Sequence, residues 1–258
     1  MLFLLSPAKS LDYGRPLPTG LAHSVPHFER EAAQLAAVLR AKAPQELAQL
    51  MALSDKLAAL NVARYAAWQP TSAPQHARQA LLAFNGDVYE GLDASSLDLQ
   101  DLDWAQEHLA ILSGIYGVLR PLDLMQPYRL EMGTRLATDA GASLYAFWGT
   151  RIAEHLNARL AQAAEPVVVN LASQEYFKSV ARPALQARVV ECVFEDWRAG
   201  QYKVISFHAK RARGLMARWA IQARASQPRQ LQSFAAEGYS WAPGVSTPER
   251  LVFRRKPA

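Results

Sequence analysis

Short apolar runs that read as buried strands recur along this chain, separated by longer stretches with helical spacing. That alternation restricts the fold more than any other feature. Leu2 to Leu5 and Pro166 to Leu171 are apolar or β-branched runs bounded by turn residues, the pattern of strands covered on both faces. Arg188 to Phe194 alternates, and with Tyr202 to Phe207 it reads as a pair of neighbouring strands joined around Ala199-Gly200. Leu251 to Phe253 makes a last short strand. Helical spacing runs from about Pro26 to Ala43, where Pro44 stops it, and again through Leu47, Leu50, Met51 and Leu53, with Ser54-Asp55 as a break or new cap. Leu102, Ala105, Leu109 and Leu112 predict a helix over Asp101 to Leu112, ended by Gly114 and Gly117. Ser173 is placed to cap a helix beginning Gln174-Glu175-Tyr176, and Lys210 to Arg224 returns to helix. Strands and helices mixed through the whole length imply an α/β (mixed α+β) fold: one compact domain over residues 1–258, with a mixed sheet flanked by helices. Strand order cannot be read from this pattern.

Charge is segregated along the chain, whose formal net charge is +5. Gln79 to Leu119 carries no Lys or Arg but seven acids, and Trp197 to Ala236 carries no acid but eight basic residues. At about 100° per residue, Ala212, Leu215, Met216, Trp219 and Ala223 share one face of the helix from Lys210 to Arg224. Lys210, Arg213 and Arg224 project from the opposite face, and Arg211 and Arg218 flank the apolar stripe. With no carboxylate nearby in sequence, phosphates are a natural counterpart. The alternative is a solvated face whose partners, such as the Asp87–Glu107 acids, come from elsewhere in the fold.

Two further segments invite a chemical reading. Leu112-x-Gly114-Ile115 is similar to the hairpin of helix-hairpin-helix motifs, whose glycine turn offers backbone N–H groups to a phosphate. Arg120 stands at the entrance of a helix that Pro121 could start, although Tyr116 intervenes before Gly117; the alternative, which outweighs the motif taken alone, is a helix C-cap at Gly114 and an ordinary turn. Ser6-Pro7-Ala8-Lys9 has the spacing by which a lysine deprotonates a serine nucleophile, without the partner motifs of that class. Asn170, Ser173, Glu175, Tyr176 and Lys178 could line the same cleft, as could Asp87, Tyr89, Tyr128, Arg129 and Glu131. Capping and buried ion pairs use the same residue types.

Several classes are set aside. The lone Cys192 excludes a disulfide framework and reads as a strand residue. The apolar run after Met1 is too short for a signal peptide or membrane span, so a cytoplasmic, soluble protein is expected. Among six histidines only His23 and His27 are close in sequence, and there is no phosphate-binding or dinucleotide glycine motif. No metal and no cofactor are expected.

The segments LFLLSPAKSLDY, SDKLAALNVARYAAWQP (54–70), LLAFNGDVYEGL (81–92), LSGIYGVLRPLDLMQPYRLEMG (112–133), NLASQEYFKSV (170–180) and ISFHAKRARGLMARW (205–219) resemble the YaaA family of bacterial peroxide-stress proteins across nearly the whole chain. The resemblance implies a family-specific α/β fold of the cantaloupe type and a basic cleft with a helix-hairpin-helix-like element. It further implies binding to double-stranded DNA, bent or mismatched duplex included, and a role in limiting oxidative DNA damage and free intracellular iron. On this reading Lys210, Arg211, Arg213 and Arg218 contact phosphate, with Arg120 and the Gly114–Gly117 turn as a second clamp and Lys9, Lys56, Arg129 and Lys178 lining the cleft between them. The rival reading is an enzyme acting on a nucleobase, nucleoside, small anionic metabolite or damaged DNA, in a pocket of Ser6, Asp87, Tyr89, Tyr128, Glu131, Asn170, Ser173 and Glu175. An enclosed pocket holding Lys9, Tyr128 and Glu131 favours that rival; an open basic groove favours plain DNA binding.

Overall fold

Burial on both faces makes the apolar runs into the middle of a parallel sheet. In the computed structural model, which describes residues 1–180 and 183–256, nine strands form one mixed sheet. They are β1 (Leu2–Leu5), β2 (Leu109–Ser113), β3 (Gly117–Leu119), β4 (Val167–Asn170), β5 (Arg188–Arg198), β6 (Gln201–Lys203), β7 (Ala235–Ala236), β8 (Tyr239–Trp241) and β9 (Arg250–Arg255). Their order is β7-β8-β9-β5-β4-β1-β2-β3, with β6 paired to the far end of β5. The central five, β9, β5, β4, β1 and β2, run parallel, and the outer pairs are antiparallel. Every residue of β1, β2 and β4 is buried.

The chain leaves β1 toward β2 on one side and leaves β4 toward β5 on the other. The carboxyl ends of β1 and β4 therefore flank a switch point, where open α/β sheets leave a crevice for ligands.

The main helices are α1 (Glu29–Arg40), α2 (Pro44–Met51), α3 (Asp55–Ala66), α4 (Asp87–Leu92), α5 (Leu99–His108), α6 (Arg151–Leu160) and α7 (Ser206–Gln222). Pro44 ends the first predicted helix by starting the second, where its missing N–H costs nothing. The helix expected over Asp101 to Leu112 stops at His108, and Leu109 to Ser113 is β2. Leu109 and Leu112 satisfied helical spacing only because a fully buried strand is apolar at every position. Tyr202 to Phe207 likewise divides: Gln201–Lys203 is strand, while Ser206 and Phe207 open α7.

Helix α7 is wedged between β5 and α4, so it has two contact faces rather than one apolar stripe. On the α4 side the backbones nearly touch. A Cβ on Gly214 would stand 1.8 Å from the Val88 carbonyl oxygen, and one on Gly91 would stand 2.3 Å from that of Arg211. No larger residue fits either position without separating the helices. Cys192 is buried in β5, where burial pushes its thiol pKa far up, so it stays protonated. Among the described residues no helix is long and apolar enough to cross a membrane.

Candidate functional site: a mixed-charge pocket at the sheet crossover

Five segments meet above the carboxyl ends of β1 and β4 and line a partly open cavity of about 430 Å³. The Ser6–Ser10 loop leaves β1, Asn85–Tyr89 opens α4, Tyr128–Glu131 crosses from the β3 side, Ser173–Tyr176 follows β4, and Lys210 and Arg213 project from α7. The close α4–α7 contact brings the last group in, because Gly214 lets α7 lie against Val88 with Arg213 turned toward the cavity.

Hydrogen bonds hold the floor. The Ser173 N–H donates to Ser6 Oγ at 2.8 Å, joining the loops after β1 and β4 directly. Ser6 Oγ lies 3.3 Å from Ser173 Oγ, and the Tyr89 hydroxyl donates to the Ser6 carbonyl at 3.0 Å. The Tyr128 hydroxyl meets Ser113 Oγ at 2.7 Å, fastening the wall to the end of β2. Burial pushes the pKa values of Tyr89, Tyr128 and Tyr176 up, so all three remain neutral hydroxyls.

Seven of the eight residues expected to form a pocket line this cavity: Ser6, Asp87, Tyr89, Tyr128, Glu131, Ser173 and Glu175. Asn170 does not, because its side-chain oxygen accepts the Ala172 N–H and shapes the turn after β4. Of the expected phosphate contacts, Lys9, Arg129, Lys210 and Arg213 also line the cavity. Glu131 Oε1 receives Arg129 at 2.7 Å and Lys9 at 3.3 Å. Among the described residues no hydrogen bond ends on Glu131 Oε2, which is left to accept from a ligand. Arg213 is more sequestered. Its Nε is buried without a hydrogen-bond partner, no carboxylate among the described residues lies within 4.0 Å, and burial lowers its pKa against the weaker pull of Glu191. A guanidinium shielded in this way, without a directly paired carboxylate, favours an anion beside it.

The remaining cations are placed otherwise. Arg211 pairs with Glu237 at 2.6 Å. Arg218 donates to the Leu92 and Asp93 carbonyls and to Ser96 Oγ, capping the end of α4, with Asp93 Oδ2 3.8 Å away. Arg224 pairs with Asp101 at 2.7 Å and Arg120 with Asp123 at 3.3 Å. Lys178 lies over the Tyr145 ring at 4.9 Å, and Lys56 is exposed on α3 away from the cavity lining. Two of these partners, Asp93 and Asp101, belong to the acidic segment, so the helix cations meet acids distant in sequence.

Gly114 is a packing residue. The turn from Gly114 to Gly117 joins two strands, not two helices, and is wholly buried. A Cβ on Gly114 would lie 2.2 Å from the Leu130 carbonyl oxygen, so the glycine admits the pocket wall rather than a phosphate. Pro121 begins a turn and no helix.

Ser6 and Lys9 form no nucleophile–base pair: Ser6 is held by Ser173 and Lys9 by Glu131. Among the described residues no three or more His, Cys, Asp or Glu side chains are grouped to hold a metal ion. The histidine that does approach His27 is His155, with ring centroids 4.2 Å apart, and burial lowers the pKa of His155 to about 4. Tyr176, expected among the cleft residues, also lines the cavity, whereas sequence reasoning missed Asn85, a residue type that does not stand out before the chain is folded.

The family described as "Peroxide stress protein YaaA" matches residues 1–244 of this sequence. A "UPF0246 protein" of Paracidovorax citrulli is 72% identical over 258 residues, the full length of both chains. Another from Verminephrobacter eiseniae is 67% identical over 256 residues, covering 99% of this chain and 98% of its own. A third, from Bordetella petrii, is 62% identical over 256 residues, covering 99% of this chain and all of its own. With both the family match and these relatives spanning nearly the whole sequence, the chain belongs to the peroxide stress protein YaaA family.

Proposed function

We propose that this member of the peroxide-stress family binds a nucleoside phosphate in the pocket at the sheet crossover, either as a free nucleotide or as one displaced from a distorted DNA strand. The observation that carries the reading is Arg213, which lines a ligand-sized cavity and, among the described residues, has no carboxylate within 4.0 Å. Phosphate sits against Arg213 and Lys210, while the unoccupied edge of Glu131 accepts from the N–H groups of a base. A cavity of about 430 Å³ is within the range of small-ligand sites, roughly 300–1,000 Å³.

Plain groove binding to regular duplex is the weaker form of the reading, because Arg211, Arg218 and Arg120 already serve protein partners. A displaced nucleotide keeps DNA as the source while using the pocket, and the cost of unstacking is least at a damaged or mismatched position. Protection of oxidised DNA follows if such positions are held. No bond-breaking step is assigned, since Ser6 and Lys9 are not paired.

Calorimetric titration with purine mononucleotides, regular duplex and duplex carrying one extrahelical nucleotide tests this. Mononucleotide and extrahelical duplex are expected to bind, and Arg213→Met to weaken both by about tenfold or more, or ~1.4 kcal/mol. Tight binding of regular duplex, unchanged in Arg213→Met and without competition from mononucleotides, would overturn the proposal.

A further inference from the structure

A second cavity, of about 640 Å³, lies on the other side of Asn85 and Tyr89, which line both spaces. Its inner wall holds Arg78, at the start of the segment leading into α4 and only 6% exposed. Arg78 Nε donates to the Leu82 carbonyl at 3.2 Å. Among the described residues its two terminal nitrogens have no hydrogen-bond partner, and no carboxylate lies within 4.0 Å. Arg78 is part of the cavity lining. Burial lowers the Arg78 pKa, with the charge of Asp12 the largest opposing influence. Arg15 stands at the rim, 3.5 Å from both Asp12 and Ser95.

The rest of the lining says which anion fits. Leu81, Phe84 and Leu97 are buried residues of the same lining, and Leu17, also in it, is left 42% exposed. Asp12, Glu90 and Asp93 also line the cavity. Asp12 already accepts the Gly14 and Arg15 N–H groups, and Asp93 accepts from Ser95 and lies near Arg218; Glu90 is exposed. With Asp12 paired to Arg15 and Asp93 near Arg218, the charges left at the cavity are Arg78 and the exposed Glu90, a balance that suits a single negative charge better than a dianion such as phosphate. A monoanionic head that matches the planar fork of Arg78, joined to an apolar body, satisfies both parts of the wall.

We propose that this cavity is a binding site for small organic carboxylates, with Arg78 taking the carboxylate and Leu17, Leu81 and Phe84 the apolar body. It is separate from the nucleotide pocket and does not depend on that assignment.

The test is titration of the full chain with benzoate and hexanoate, with hexanol and inorganic phosphate as comparisons. The carboxylates are expected to bind with Kd of about 0.1–1 mM, and the comparison compounds at least about tenfold more weakly. Arg78→Met should remove binding while circular dichroism confirms the fold. Leu17→Asp, an exposed change that folding tolerates, should weaken it about tenfold through the apolar body and added charge. Failure of both carboxylates to bind the native chain, phosphate binding as tightly as they do, or full affinity in Leu17→Asp would each overturn the proposal.

Discussion

Arg211 and Arg213 stand two residues apart on α7 and meet opposite environments. Arg211 looks outward, with its side chain 37% exposed, and shares two hydrogen bonds from Nε and one from Nη2 with Glu237. Arg213 lines the crossover pocket, largely shielded, and among the described residues has no carboxylate within 4.0 Å. The rotation between neighbouring helix positions accounts for the difference in direction. What each guanidinium meets was decided by chain far away: Glu237 just before β8 for one, and the loops after β1 and β4 for the other. Basic residues are thus not interchangeable evidence for a polyanion. Those that already have carboxylates or carbonyls serve the fold, and the unpaired, sequestered ones are where ligand binding gains most.

That contrast can be broken or sharpened by substitution. The largest effect is expected at Gly214, which allows α4 and α7 to touch: Gly214→Ala should lower stability in urea by about 3 kcal/mol or more, with loss of nucleotide binding. A fully stable, binding-competent variant would show that the close approach is unnecessary for directing Arg213. Next, Arg218→Ala should cost about 1–3 kcal/mol, since it strips donors from two carbonyls at the end of α4, and nucleotide affinity should be unchanged. Arg213→Met should do the reverse, weakening nucleotide binding by about tenfold or more while the melting temperature holds or rises, because a shielded charge without a directly paired carboxylate is removed. A large fall in melting temperature would mark Arg213 as structural.

Smaller still is Arg211→Ala, expected to cost about 0.2–1 kcal/mol as an exposed pair. Its pH dependence has a definite sign. The hydrogen bond from Arg211 holds the Glu237 pKa below its ordinary value of 4.5. Because the folded pKa is depressed, the contribution is complete above about pH 4.5 and is lost as pH falls through the lower, folded value. Chemical denaturation of wild type and Arg211→Ala at pH 7 and pH 3 should therefore show a gap that closes at the acid end. A gap that persists or widens would mean that the pair is not what Arg211 contributes.

Much of the architecture was legible before folding. The strands at Leu2–Leu5 and Val167–Asn170 and the long helix carrying Lys210 to Gln222 follow from apolar runs and helical spacing. β2 was not legible, because Leu109–Ser113 is buried on every side and leaves no alternation to mark it as strand. Most polar residues of the crossover pocket were also readable as segment-end residues, since ligand sites in α/β sheets collect at strand ends. Arg78 gave no such signal. An arginine opening an apolar stretch looks like a surface residue until the cavity beside it is known.

Sequence alone determined the mixed α/β class, the burial of the central strands and the separation of acidic from basic segments, because these depend on local periodicity and composition. Only the tertiary structure decided which cations are paired with a carboxylate or carbonyl and which line a cavity without one. Electrostatic pairing is a matter of a few ångströms between atoms tens of residues apart, and no spacing along the chain encodes that distance.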